Sequence, residues 1–307
     1  MVETTSSTLI DVIEKMKAKN LLTDYELIFV DDGSIDSTFQ KIICLNSKNP
    51  NIKCISFSKN YGLQAAVTAG LENSDGDFVV IIDCDLQDPP EVIEDMLLKM
   101  METNCDVVYG KRRRRKENFL KKALILIFHR IFSKISNIKV PPDVGNFSLL
   151  TRRAVETILR FKEKSRYIPA LRFFIGFKQE FIEYDRKDRE IGKAKMNFKR
   201  LFKLAMDAIF SFSDYPIRFC IYIGSIGVLV FMVTGVYVIL NKFVFGKAIP
   251  GWSSILLSIY FLGSIQLLFL GIVGEYIFRI YMEVQDRPLY IIDKKIGFNS
   301  DKKGIKE

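Results

Sequence analysis

Apolar residues in the first half of the chain form short continuous runs that alternate with helical patterns. Four runs are typical of buried strands, at residues 26–30, 52–56, 78–82 and 106–109. Between them, apolar residues recur at helical spacing, in residues 9–22, 36–45, 63–71 and 91–101. This alternation predicts an α/β fold with a Rossmann-like parallel or mixed sheet and right-handed crossovers.

Two of the predicted strands end in acidic residues. Asp31 and Asp32 follow the first strand, and Asp83, Asp85 and Gln87 follow the third. Open α/β sheets bind ligands at the carboxyl ends of their strands, so we expect a site at this edge. Two carboxylates and an amide oxygen are hard ligands that suit Mg²⁺ or Mn²⁺. A solvated acidic turn is the alternative, but the buried strand before the motif and the double proline after it favour a metal site.

Composition narrows the choice of partners and compartment. The net charge of +9 indicates an anionic partner such as nucleic acid, phospholipid or a phosphorylated substrate. The five cysteines are scattered and form no C-x-x-C, which argues against zinc or a disulfide framework and fits a reducing compartment. His129 is the only histidine, so His-rich metal sites are excluded. We expect no cleavable signal peptide, because the first apolar run is short and amphipathic.

Two long apolar runs near the C-terminus predict transmembrane helices, at residues 219–240 and 252–274. They contain 22 and 23 consecutive uncharged residues, enough to cross a hydrocarbon core of roughly 30 Å. Lysines and arginines flank the pair, whereas residues 241–251 between them hold two lysines. The positive-inside rule therefore places that loop outside and both termini in the cytoplasm. We expect a multi-pass protein of the inner (cytoplasmic) membrane whose catalytic domain lies close to anionic lipids.

The remaining segments divide the chain further. Residues 1–196 are predicted to form the cytoplasmic domain, residues 197–218 an amphipathic interfacial helix, and residues 275–307 a cytoplasmic tail. Residues 119–138 suit either an interfacial helix or a core helix. The basic run at residues 111–116 resembles a nucleic-acid patch. Its position after a strand end favours a diphosphate or a membrane surface, so we predict no nucleic-acid partner.

Several motifs of this chain occur together in one known group of enzymes. They are V-D-D-G-S at 30–34, K-N-Y-G at 59–62, D-C-D-L-Q-D-P-P-E at 83–91, V-G-N-F-S-L-L-T-R-R at 144–153 and G-E-Y-I-F-R-I-Y at 274–281. With the two apolar spans, they resemble family-2 glycosyltransferases of the GT-A fold that act on polyprenyl phosphate, such as bactoprenol glucosyltransferases and dolichyl-phosphate mannose synthases. The resemblance covers nearly the whole chain.

The resemblance implies an activity and a set of partners. It implies inverting transfer of a hexose, with glucose favoured, from a UDP-sugar to polyprenyl (undecaprenyl) phosphate at the cytoplasmic membrane face. The product would serve cell-envelope glycan modification. Membrane lipids are further partners, and the resemblance suggests a homo-oligomer.

The resemblance also implies roles for individual residues. The UDP-sugar would be bound by five residues, which are Asp31, Asp32, Gly33, Lys59 and Asp83. Mg²⁺ or Mn²⁺ would be held by Asp83, Asp85 and Gln87. The acceptor phosphate would meet basic residues, which are Arg189, Lys193 and Lys195, with Arg112 and Arg152 as weaker candidates. Asp85, Asp143 and Asn146 are the catalytic candidates. Asn146 stands where relatives commonly carry Asp, and Asp143 is a candidate substitute.

The start of the chain departs from the pattern of these relatives. Glu3 matches the first Glu of a nucleotide-cradling motif, and the strand that precedes this motif in relatives is absent from the sequence. That strand would be central, so we expect unpaired backbone inside the sheet and weaker donor binding.

Two alternatives stay open at this point. The first is a catalytically impaired, membrane-tethered binding or assembly protein of the same fold, as the absent strand would suggest. The second is a processive polysaccharide synthase. It is disfavoured because Trp252, the sole tryptophan, lies at a span end and cannot belong to a cytoplasmic Q-x-x-R-W motif.

Overall fold

A computed structural model describes residues 1–113, 141, 144–164, 166–186, 215–243 and 251–298 of the 307-residue chain. The chain divides into two compact units. The first unit comprises Met1–His129, Ile138–Met196 and Pro288–Glu307, and the second comprises Arg130–Asn137 and Asn197–Arg287. The segment at 119–138, most of the predicted interfacial helix at 197–218 and the basic run beyond Arg113 lie outside the described residues.

The first unit alternates strands and helices, which confirms the predicted α/β class. Its elements up to the second unit are α1 (Val2–Ala18), β1 (Leu27–Asp31), α2 (Thr38–Lys48), β2 (Ile52–Phe57), α3 (Leu63–Glu72), β3 (Phe78–Ile81), α4 (Val92–Thr103), β4 (Val107–Arg112), β5 (Val144–Thr151), α5 (Arg152–Leu159), α6 (Ile168–Phe174) and β6 (Gln179–Tyr184). The second unit contributes α7 (Tyr215–Phe243) and α8 (Trp252–Val284), and β7 (Ile292–Ile296) then belongs to the first unit again.

The first helix differs most from its predicted bounds. It begins at Val2 rather than at residue 9, and it ends at Ala18. Its buried face packs against α4 through Leu9, Val12 and Met16. The chain then leaves the helix through Asn20, which has a φ of 56°, a conformation that asparagine tolerates better than most residues. Apolar residues after Ala18 pack on the same core from a loop, which is why the sequence pattern appeared to extend the helix.

The strands form two mixed sheets rather than one parallel sheet. The first has the order β1-β2-β7 and the second the order β3-β5-β4-β6. β1 and β2 are parallel, as are β4 and β6. β5 runs antiparallel to both β3 and β4, and β7 runs antiparallel to β2. The purely parallel arrangement is therefore excluded, because two strands return in the opposite direction.

The two sheets separate between β1 and β3. Within the described residues, β1 pairs only with β2 and β3 pairs only with β5. Each of these strands therefore has one edge without a sheet partner in the described part of the chain.

The separated sheets are still linked by a carboxylate and by a shared core. Glu26, just before β1, accepts hydrogen bonds from the backbone of Asp75 at 2.6 Å and from Lys53 at 2.6 Å. Leu27 of β1 and Val80 of β3 both pack against the core cluster of α1 and α4. The acidic ends of β1 and β3 thus belong to one packed unit.

The strand β7 was not predicted from the sequence, and its residues were expected to form part of a cytoplasmic tail. It is mostly exposed, but side chains of the neighbouring elements hold it in place. Tyr290 stacks on Phe57 with ring centroids 4.8 Å apart, and its hydroxyl donates to Glu72. Lys295 donates to the Asn73 side chain at 2.6 Å. The end of the chain therefore completes the first sheet.

The second unit contains the two long apolar helices, α7 and α8. Among the described residues, one helical segment is long and apolar enough to cross a membrane, Phe261–Val284. The apolar stretch within α7, Tyr222–Thr234, is shorter. The prediction of two transmembrane helices is thus not confirmed, and the qualifying segment lies at 261–284 rather than at 252–274. Helix α8 continues past Gly274, where Arg279 and Glu275 form an ion pair at 2.9 Å.

Candidate active site

The carboxylate of Asp31 closes the turn after β1. The residue is 4% exposed, and its oxygens accept hydrogen bonds from the Ser56 hydroxyl at 2.9 Å and from the Ser34 backbone N–H at 3.1 Å. Ser56 is the direct partner of Asp31 in the β1–β2 register. The parallel pairing of the two strands therefore fixes this buried carboxylate.

Asp32 and Gly33 join this turn to the loop after β2. The Asp32 carboxylate accepts from the backbone N–H groups of Tyr61 at 2.7 Å and Gly62 at 2.9 Å. Gly33 has a φ of 67°, and a Cβ there would lie 2.4 Å from the backbone carbon of Lys59. Only glycine can occupy this position without displacing the backbone. The predicted nucleotide-binding residues of the two loops are thus brought together.

The acidic motif after β3 folds into a tight turn. Leu86 has a φ of 52°, and the Gln87 backbone N–H donates to Asp85 Oδ1 at 3.2 Å. The hydroxyl of Thr5, in the first turn of α1, donates to the backbone carbonyl of Cys84 at 2.9 Å. The turn ends where α4 begins at Val92. Asp83, Asp85 and Gln87 consequently lie within one short segment at the carboxyl end of β3.

Negative charge accumulates at this strand end. Burial raises the pKa of Asp83, and the negative charges of Asp88 and Asp85 raise it further. The positive charges of Arg186 and Arg112 oppose the effect without cancelling it. A cation beside Asp83 would relieve this repulsion, so the residues present fit a divalent ion.

The composition of the turn also limits the kind of ion it would hold. Among the described residues, no group of three or more His, Cys, Asp and Glu side chains is arranged around a common point. Asp83 and Asp85, with Gln87, would therefore supply only part of a coordination shell. Mg²⁺ and related ions commonly bind in this way and take their other ligands from water and substrate phosphates.

A second cluster lies directly behind the acidic turn, around Asp88. This residue is 1% exposed, and its carboxylate accepts a hydrogen bond from the Tyr184 hydroxyl at 2.5 Å. Arg186 Nε lies 3.4 Å from Asp88 Oδ1, and Arg112 Nη2 lies 3.9 Å from the same oxygen. Arg112 Nε also donates to the Tyr184 hydroxyl at 3.4 Å. Two arginines from different strand ends thus converge on one buried carboxylate.

One member of this cluster, Arg112, was predicted from the sequence to belong to the site. Asp88 was quoted within the D-C-D-L-Q-D-P-P-E motif but received no role. Arg186 lies three residues before Arg189, the first of the basic residues predicted to meet the acceptor phosphate, so its position was a usable signal. Tyr184 had no such signal, because its contact with Asp88 spans 96 residues of the chain.

The start of β5 is fixed by a buried arginine. Arg172 is fully buried and donates to the backbone carbonyls of Gly145 at 2.6 Å and Asn146 at 3.3 Å. Burial lowers the pKa of Arg172 to about 10. A Cβ on Gly145 would lie 2.9 Å from Arg112 Nη2. The catalytic candidate Asn146 is therefore next to the arginine cluster, and its Oδ1 is buried without a partner among the described residues.

Arg152 lies elsewhere. Its guanidinium donates to the backbone carbonyl of Gly76 at 3.0 Å, which is before β3 rather than after it. The geometry does not bring Arg152 to the cluster and gives no support to its predicted role at the acceptor phosphate. Four further candidates lie outside the described residues, namely Asp143, Arg189, Lys193 and Lys195.

Comparisons with known proteins place this arrangement in context. Residues 3–159 match the family model described as glycosyl transferase family 2. The chain is 40% identical over 282 residues to the uncharacterized glycosyltransferase YkcC of Bacillus subtilis, which covers 90% of this chain and 86% of YkcC. It is 38% identical over 272 residues to a prophage bactoprenol glucosyl transferase homolog of Escherichia coli, covering 88% and 89%.

Similar values relate the chain to the bactoprenol glucosyl transferase of Shigella phage SfII, at 38% identity over 272 residues that cover 88% of each chain. Among solved structures, the chain is 17% identical to glucosyl-3-phosphoglycerate synthase of Mycobacterium tuberculosis. That match covers 60% of this chain and 66% of the synthase, with a TM-score of 0.38.

Proposed function

Because this chain belongs to glycosyl transferase family 2 and is a glycosyltransferase, we propose that it transfers a hexose from a UDP-sugar to a polyprenyl phosphate, with inversion at the sugar carbon. Glucose and undecaprenyl phosphate are the donor sugar and acceptor that we propose. The observation that supports this most directly is the pairing of an acidic turn at Asp83 and Asp85 with the arginines at Asp88.

In this proposal, the residues of the site divide the work between them. The joined loops at Asp31–Gly33 and Lys59–Gly62 bind the nucleotide. Asp83 and Asp85, with Gln87, hold Mg²⁺ or Mn²⁺, which when bound neutralises charge on the departing diphosphate. Arg112 and Arg186 add fixed positive charge beside the same strand end.

The acceptor side needs little proton transfer. A phosphate monoester has a second pKa of about 6, so at neutral pH it is already an anionic nucleophile. An amide such as that of Asn146 cannot accept a proton as a carboxylate does, yet the reaction does not require it to. The main task of the protein is to position the two substrates in line and to exclude other nucleophiles.

We also propose that α7 and α8 both cross the membrane, with the first unit and both termini in the cytoplasm. The chain leaves the first unit at Met196 and returns to it at Pro288, since β7 pairs with β2. Any membrane crossing between these points must therefore occur an even number of times. One crossing by α8 alone does not satisfy this condition, whereas two crossings by α7 and α8 do.

Cysteine labelling in intact cells tests this topology. A cysteine at Ala248, between the two helices, should react with a membrane-impermeant reagent, and one at Ser300 should not. The unmodified chain gives the background from its own cysteines. Labelling of Ser300→Cys alone, or of both positions equally, would contradict the proposed topology.

The transfer itself is tested on membranes that contain this chain. Radiolabelled UDP-glucose and undecaprenyl phosphate should give a labelled product that extracts with lipids, and membranes without the chain should not. Other UDP-hexoses offered in parallel identify the sugar. The break between β1 and β3 favours the alternative of an impaired binding or assembly protein. That alternative predicts saturable UDP-sugar binding with no labelled lipid from any donor.

A further inference from the structure

We propose that Asp88 and Tyr184 act as positioning residues that hold Arg112 and Arg186 as a paired binding site for a substrate phosphate group. This inference rests on the proposed function, and it assigns roles to three residues that the family resemblance left without any. The cluster that we call the Asp88 cluster consists of Asp88, Arg112, Tyr184 and Arg186.

Asp88 is the fixed centre of this cluster. Its carboxylate is 1% exposed, so its charge requires compensation from close cations and donors. Tyr184 donates to it from β6, while Arg112 and Arg186 approach it from the ends of β4 and β6. β4 and β6 are adjacent parallel strands, and Arg112 is paired with Tyr184 in their register. The ends of the two strands therefore bring both arginines close to Asp88.

The hydroxyl of Tyr184 connects one arginine to the carboxylate. It accepts a hydrogen bond from Arg112 Nε and donates its own proton to Asp88 Oδ1. The phenol is also fixed from the other side, since its ring packs edge-on against Phe147 with centroids 5.5 Å apart. Arg112 is therefore oriented through its Nε, while its Nη2 lies between Asp88 and Gly145.

The two guanidiniums have more donors than the cluster uses. Each has five N–H groups, and one carboxylate with one hydroxyl accepts only a fraction of the ten. The Arg112 and Arg186 side chains remain 16% and 26% exposed, so part of each guanidinium reaches the site. Paired guanidinium forks match the geometry of a phosphate group. Asp83 and Asp85 lie on the same turn as Asp88, which places this phosphate beside the proposed metal ion.

Gly145 packs directly against the guanidinium of Arg112. A Cβ at this position would approach Arg112 Nη2 to 2.9 Å, and the flexible end of the arginine would have to move. Gly145→Ala therefore displaces Arg112 without altering Asp88. This gives a second perturbation of the cluster that does not depend on a buried charge.

The proposal is tested on the full chain purified in detergent. Two probes separate the sources of phosphate, which are farnesyl phosphate for the acceptor and UDP with Mn²⁺ for the donor. Calorimetry gives the affinity of each, and hexose transfer gives KM and kcat. We expect Asp88→Asn to lower the affinity for one of the two probes at least tenfold. Tyr184→Phe and Gly145→Ala should lower the affinity for the same probe three- to fivefold.

Tyr109→Phe is the matched control. Tyr109 is a buried tyrosine on the neighbouring strand β4, and it packs on Phe173 and Phe181 rather than on the cluster. Its substitution should change the affinity for neither probe by more than 1.5-fold. A loss of affinity in this control equal to that of Tyr184→Phe would overturn the proposal, because any buried phenol would then have the same effect.

Coupling separates a positioning role from a merely structural one. If Asp88 acts through the two arginines, then Asp88→Asn should lower affinity less than twofold in a background that carries both Arg112→Gln and Arg186→Gln. Full additivity of the two losses, or unchanged binding of both probes by Asp88→Asn, would overturn the proposal. Probe binding is measured without turnover. A wild-type chain that binds both probes but transfers no hexose would therefore refute the proposed function and leave this test intact.

Discussion

The acidic residues at the ends of β1 and β3 occupy the same kind of position but have opposite surroundings. At the end of β1, the carboxylates of Asp31 and Asp32 accept hydrogen bonds from the protein itself. At the end of β3, burial raises the pKa of Asp83, and two nearby carboxylates raise it further. The first end is internally satisfied, whereas the second carries excess negative charge.

This difference separates structural from ligand-directed carboxylates within one site. A carboxylate whose oxygens already accept several hydrogen bonds has fewer lone pairs left for a ligand. Asp31 and Asp32 therefore act first by shaping the loops that would contact a nucleotide. Asp83 is the carboxylate whose repulsion an external cation would relieve, and Asp85 lies beside it on the same turn.

The largest effect is expected for Asp85→Asn, at the charged end. Loss of this metal ligand should lower hexose transfer by about 100-fold or more, because charge on the leaving diphosphate is no longer neutralised. The melting temperature of the full chain should stay within about 2 °C, since the substitution is isosteric. Transfer rates with added Mn²⁺ and with excess EDTA provide the measurement. Undiminished turnover in either the variant or the EDTA sample would remove the metal from the proposal.

At the satisfied end, Asp31→Ala should act mainly on stability. It leaves the Ser56 hydroxyl and the Ser34 N–H without their acceptor, a loss of about 1–3 kcal/mol. The melting temperature should fall by roughly 2–10 °C, and nucleotide binding should weaken as the loop loosens. Ile35→Ala, in the same loop and with a fully exposed side chain, is the control and should melt like the wild type. Equal melting of Asp31→Ala and wild type would show that this carboxylate is not structural.

Asp83→Asn should raise the stability of the metal-free chain at neutral pH. Since the folded-state pKa of Asp83 lies above its ordinary value of 3.8, the native state binds this proton more tightly than the unfolded state does. Stability then falls as pH rises from 3.8 through the raised pKa, and the full cost persists above it. The variant should melt about 1–3 °C higher at pH 7 and equally at pH 3.5.

Added Mn²⁺ provides the control for that prediction. The ion should raise the melting temperature of the wild type more than that of Asp83→Asn, because only the wild type retains the full ligand set. A variant that melts lower than the wild type at pH 7 without metal would mean that the Asp83 charge is already compensated within the protein.

The smallest effect is expected for Arg152→Ala, which removes a cation before β3 rather than after it. Its hydrogen bond to the Gly76 carbonyl is exposed, so its loss should cost about 0.5–1.5 kcal/mol at most. Hexose transfer should change less than twofold. Arg112→Ala, a cation of the charged end, should lower transfer far more. If Arg152→Ala and Arg112→Ala lowered hexose transfer by similar factors, the proposed difference between the two ends of β3 would be wrong.

Much of this architecture is readable from local sequence. Strands β1 to β4 follow from apolar runs, and their acidic ends follow from the residues that come next. The elements that were missed are those that depend on distant partners. β7 has the sequence I-D-K-K-I and is mostly exposed, and only its pairing with β2 makes it a strand.

The same limit applies to the site. The D-x-D turn was visible because its members are neighbours in the chain. The Asp88 cluster was not, because Tyr184 reaches Asp88 from a strand 96 residues away. Arg152 was predicted to bind the acceptor phosphate because it belongs to a family motif. The antiparallel course of β5 instead takes it to the other end of β3, away from the acidic turn.

The place of β7 at the end of the chain has a consequence for biogenesis. About 235 residues separate Phe57 from Ile292, so β2 waits for its partner until α7 and α8 have been made. At about 5–20 residues per second, that delay is on the order of ten to fifty seconds. During this time the edge of β2 is exposed, and an exposed edge invites pairing with other chains. Ribosomes that stall after α8 should therefore hold a nascent chain whose β2 edge is still unpaired and prone to aggregate.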